Sequence, residues 1–179
     1  MKLDLYTLAA VWVVPFVGAL IVAAVGPSRP QLAHRVAILS ALLTTLVGLW
    51  LLLAGSAGDA FAKTDFPAVA LGAGFHYHVG VDGLSALLVP LTAIIGLSVL
   101  VAAPRQLLPP RLAAEALFSV GAILGVLISL DAFWLTLFWT LSLWPLWRFA
   151  QRELDAIGRT AASLVFFASS LPLWVALVV

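Results

Sequence analysis

The chain has 179 residues, of which 64% are hydrophobic and 9% charged, and its formal net charge is +1. Soluble domains carry roughly a quarter charged residues, so this chain lacks the polar surface that a water-soluble fold needs, and the bilayer must serve as its solvent. Nine basic residues scattered through connections make no nucleic-acid-binding face, and the absence of cysteine excludes disulfides, cysteine-ligated zinc and cysteine-held iron–sulfur clusters.

About twenty residues at 1.5 Å each cross the hydrocarbon, and runs of that size predict an all-α membrane protein with six spans in one domain, 1–179. The first is Leu5 to Val25. It reads as a span rather than a cleaved signal, because Lys2 is its only basic residue and no A-x-A-type site closes it. The second is Val36 to Ala54, followed by a mixed polar outer loop over 55–80. The third is Leu84 to Ala103 and the fourth Leu112 to Leu130. Asp131 turns the chain into the fifth, Ala132 to Trp147, and the sixth is Ala161 to Val179.

Seven of the nine basic residues fall on one set of alternate connections: Arg29, Arg35, Arg105, Arg111, Arg148, Arg152 and Arg159. The other set holds only Lys2 and Lys63, with Asp4, Asp59, Asp65, Asp82 and Asp131. The positive-inside rule predicts a cytoplasmic arginine side and both termini on the outer, periplasmic side of the inner membrane. Pro15, Pro90, Pro145 and Pro172 lie inside spans, as packing kinks or as breaks lining an ion path.

An ionisable group at mid-membrane costs about 2.5–3.5 kcal/mol on insertion scales and marks function by default. Five of the six runs contain none. Glu115, in the fourth, stands four residues after Arg111, which predicts an interfacial i, i+4 pair; the alternative is a carboxylate at a channel mouth. Asp82 and Asp131 are placed to cap the third and fifth helices, where a carboxylate accepts free backbone N–H groups. Thr136, Thr140, Ser142, Ser169 and Ser170 read as helix glue. His76 and His78 lack the further ligands that a metal site requires. No nucleotide, hydrolase, metalloprotease or haem motif is present, so neither a catalytic residue nor a metal or other cofactor is expected. Trp134, Trp139, Trp144 and Trp147 all fall on the fifth span, a candidate docking face for a partner helix.

The order of three segments resembles a known family. The segment FHYHVGVDGLSALLVPLTAIIGLSVLVA, from Phe75 to Ala102, is similar to the Y-H-x-G-V-D-G-[LI]-S stretch of the antiporter-like membrane subunits of respiratory complex I, nearest to subunit M of NADH-quinone oxidoreductase. LDAFWLTLFWTLSLWPLW, from Leu130 to Trp147, resembles the family's L-D-x-x-x-F-Y-x-F-W-E-L-x-L-I-P-M-Y segment, with Asp131, Phe138, Trp139, Leu141 and Pro145 in register. RTAASLVFFASSLPLWVAL resembles its A-A-L-K-F-F segment. The family's buried glutamate would fall at Thr140 and its lysine around Leu164, so the resemblance implies the scaffold without the charge pair that moves protons. The family also continues through further helices, whereas this chain ends at Val179.

Three functions are therefore expected to compete. One is a non-pumping scaffold subunit in a complex I-related or other membrane-bound redox assembly, partnered by other membrane subunits and the lipid bilayer. The others are half of a split proton- or cation-translocating subunit, and an anchor for a hydrogenase- or dehydrogenase-like module.

Overall fold

The computed structural model describes residues 5–55, 62–66, 77–103 and 108–178. It contains six helices: α1 (Leu5–Val25), α2 (Pro30–Gly55), α3 (Gly83–Ala102), α4 (Pro110–Ile128), α5 (Ala132–Glu153) and α6 (Ala156–Val178). Two strands, β1 (Ala62–Phe66) and β2 (Tyr77–Val81), pair antiparallel between α2 and α3. The loop expected over 55–80 is therefore partly a β-ribbon. Val79 of that ribbon also bridges to Ser129 at the end of α4, which ties the ribbon onto the bundle.

Where the helices start and stop follows local chemistry. Pro30 and Pro110 stand at first helical positions, where proline's missing N–H is no loss and its φ is already helical. Pro30 thus begins α2 six residues before the apolar run does. Asp155 accepts the Gly158 N–H at 2.8 Å and so starts α6 ahead of its apolar run. α5 continues past Trp147 to Glu153 because nothing in Arg148–Arg152 breaks a helix. All four prolines inside spans lie in continuous helices.

Five helices, all but α5, are long and apolar enough to cross a membrane. α5 is equally long, but its hydroxyls and the charged turn at its end dilute its apolar character. The expectation of six spans is met on composition for five.

α4 is the centre of the bundle, packing on α1, α2, α3 and α5, while α6 packs chiefly on α5. Small residues set the helix spacing. A Cβ at Gly18 would meet the Ser40 side chain, one at Gly96 Val120, and one at Gly125 would fall 2.4 Å from the Phe138 ring. Lipid tails are as apolar as leucine, so helices in a membrane associate by close packing of this kind and by interhelical hydrogen bonds. Two buried clusters result. One gathers Leu8, Val11, Leu51, Val89, Leu124 and Ile128 beneath the β-ribbon. The other is alanine-rich, with Ala33, Ala37, Ala41, Ala113 and Ala114 around Leu100 and Leu117.

Contacts between neighbouring helices run in opposite directions. Gly125 meets Phe138, Phe118 meets Trp144, and Glu115 meets Arg152 along α4 and α5. The alternation brings Arg29, Arg35, Arg111, Arg148, Arg152 and Arg159 to one end and Asp82 and Asp131 to the other. Arg105, Lys2, Asp4, Asp59 and His76 lie outside the described residues.

Candidate functional site

At the arginine end, α4 turns Glu115 toward α5. Arg152 Nη2 donates to both carboxylate oxygens at 2.6 Å. The two side chains are only 15% and 21% exposed. The pair expected from spacing, Arg111 with Glu115, exists but is loose: Nε lies 3.8 Å from Oε1 and the Arg111 side chain is 58% exposed. Arg152 is the principal partner, and sequence reasoning missed it because it stands 37 residues away on another helix. A charge-assisted bond of this length is roughly twice as strong as a neutral one. The guanidinium's other terminal nitrogen, Nη1, is buried with no hydrogen-bond partner among the described residues.

Thr140, where the resemblance would set a glutamate, lies in the seam between α5 and α6. Thr140 Oγ1 donates to the Thr136 carbonyl at 2.9 Å and accepts from Trp174 Nε1 of α6 at 3.0 Å. Both hydrogen bonds at Thr140 are neutral. Leu164 does not meet it: the residue is 65% exposed, on a side of α6 left open by the other described helices. Toward the arginine end, Gln151 Nε2 and Trp147 Nε1 both donate to Ser163 Oγ, at 2.8 and 3.2 Å. Ser163 in turn donates to the Arg159 carbonyl at 2.9 Å.

The α5 tryptophans divide by environment. Trp144 packs on Phe118 and lies under the Arg148 guanidinium, 4.9 Å from the ring centre. Trp147 stacks on Phe166 of α6, and Trp134 packs near Phe133 and Phe138. Trp139 is the most open of the four, 39% exposed.

At the opposite end, Asp82 Oδ1 accepts the Ser85 N–H at 2.6 Å and caps α3, while Asp131 Oδ1 accepts the Phe133 N–H at 2.8 Å and caps α5. The bonds from Ser85, backbone first and side chain second, hold the Asp82 carboxyl below its ordinary pKa. Asp82 and Ser129 line a cleft of about 150 Å³ under the β-ribbon. Glu115 stands at the far end of the bundle, so the three carboxylates do not converge on one site. Among the described residues no three histidine or acidic side chains gather around a metal position.

No protein-family model and no curated protein matches this chain. The resemblance to complex I antiporter-like subunits therefore rests on the sequence motifs alone.

Proposed function

We propose that this chain is a non-pumping scaffold subunit of a membrane-bound redox assembly related to complex I, with six membrane spans and its arginine end in the cytoplasm. The supporting observation is the Thr140–Trp174 bridge. A proton-moving site in a membrane needs ionisable groups whose separation alters their proton affinity, and a threonine hydroxyl held between a carbonyl and an indole N–H does not titrate. Leu164 supports the same reading, since an exposed leucine on α6 suits contact with lipid or a neighbouring subunit.

In this assembly the chain contributes helix surface and fixes its neighbour's position. α6, with Leu164, Val165, Phe167, Leu171 and Val175 exposed along it, is the face it offers. Reconstitution tests the reading. Proteoliposomes holding the chain alone are expected to carry no proton or sodium flux above empty vesicles, while mild-detergent purification is expected to recover a larger antiporter-like or redox membrane subunit. Flux abolished by Glu115→Gln would sink the scaffold reading in favour of half of a split channel.

A further inference from the structure

The arginine end of the bundle opens, between α1, α4 and α5, into a groove of about 520 Å³, within the ~300–1,000 Å³ typical of small-ligand sites. Leu20 and Ala23 of α1, Ala114 and Phe118 of α4 and Trp144 of α5 make its walls apolar. Arg111, Glu115 and Arg148 stand among them.

The charges there are not balanced. Glu115 is already held by Arg152 at 2.6 Å. Arg148 lies over Trp144 and pairs with no carboxylate among the described residues. Arg111 reaches Glu115 only at 3.8 Å and is mostly exposed. The first turn of α4 has no acidic residue and no side-chain cap, so Glu115 is the one carboxylate among the described residues lining the groove, set against Arg111, Arg148 and its own partner Arg152. A small hydrophilic anion would make no use of the apolar walls, and a neutral lipid would make none of the arginines. Basic pockets between membrane helices near the interface take anionic lipid headgroups.

We propose that this groove binds one anionic phospholipid, its phosphate between Arg111 and Arg148 and an acyl chain along Ala23 and Phe118. The site is independent of the scaffold reading, since it requires only that the bundle lie in a bilayer.

The test uses the purified chain, reconstituted in vesicles of equal parts phosphatidylglycerol and phosphatidylcholine, re-extracted in mild detergent and weighed by native mass spectrometry. Phosphatidylglycerol is expected to be retained roughly thirtyfold over phosphatidylcholine, in keeping with ~1 kcal/mol for each of two arginines near an anionic headgroup. The preference should vanish in the Arg111→Gln/Arg148→Gln variant and in Ala23→Trp, which fills the groove and leaves both arginines. It should persist in Arg111→Lys/Arg148→Lys and in Arg159→Gln, whose arginine lies outside the groove. Equal retention of the two lipids by the unaltered chain overturns the proposal. So does a preference unchanged in the double glutamine variant or in Ala23→Trp, and so does full displacement of the lipid by millimolar inorganic phosphate.

Discussion

Arg152 of α5 holds both carboxylate oxygens of Glu115 on α4 through one nitrogen, at 2.6 Å each, in a contact mostly closed to solvent. Removing Glu115 leaves Arg152 with no carboxylate among the described residues, and removing Arg152 leaves Glu115 only its loose contact with Arg111. Glu115→Gln and Arg152→Met are each expected to cost about 2–3 kcal/mol, seen as a lower melting temperature in detergent. The double variant should recover part of that loss, because a buried ion pair replaced on both sides is often close to neutral. Additive losses in the double variant would show that the two residues are not coupled.

Thr140→Val removes the acceptor of Trp174 and is expected to cost about 1 kcal/mol, with a shift in tryptophan emission. Thr140→Glu should be worse, since a carboxylate between α5 and α6 has no cation to meet among the described residues. Adding Leu164→Lys should not rescue it, because that side chain leaves α6 on the exposed side. A double-mutant cycle with coupling near zero is the expected result. Strong positive coupling would mean that the charge pair can be rebuilt and that the two positions face each other.

Asp82 supplies a pH test. Its carboxyl is held below the ordinary value of 3.8 in the folded chain, so the unfolded state binds its proton first as pH falls. The stabilisation is complete above about pH 4–5 and is lost as pH drops through the lowered folded value. Asp82→Ala should remove that part of the acid dependence of unfolding, while leaving the profile near neutrality parallel to the unaltered chain.

The orientation is open to direct labelling because the chain has no cysteine of its own. Ser28→Cys, in the turn between α1 and α2, should resist an impermeant maleimide in intact cells and react once the membrane is opened. Leu130→Cys, 55% exposed at the opposite end, should react in both. The reverse pattern would invert the topology.

Much of the helical plan was legible in the sequence because membrane crossing imposes length and apolarity, which composition records directly. The caps were legible too: Asp82 and Asp131 precede apolar runs, and a carboxylate there has backbone N–H groups to accept. The β-ribbon was not: β2 alternates Tyr77, Val79 and Val81 with His78 and Gly80, but its partner β1 reads AKTDF, with three polar residues in a row and no alternation to match. Nor was the Arg152–Glu115 contact. Helical spacing predicts neighbours on one helix, and Arg111 answered that rule; the stronger partner depends on how α4 and α5 pack. The start of α6 did carry a signal in Asp155, a capping residue ahead of the apolar run, and the reading by hydropathy passed over it. Motif register pointed to Thr140 and Leu164, but only the packing reveals that Thr140 answers to Trp174.

The Thr140–Trp174 and Gln151–Ser163 bonds have a consequence for how the chain is built in the membrane. α1 to α5 bury one another, whereas α6 gains little by area and is held along a single seam. In hydrocarbon, a leucine face grips a neighbour no better than it grips lipid, so sliding or rotation of α6 is resisted mainly by these directional bonds and the ring contacts beside them. They act as detents, setting the height and angle of α6 before any neighbour arrives. A subunit that docks there meets a surface already in register.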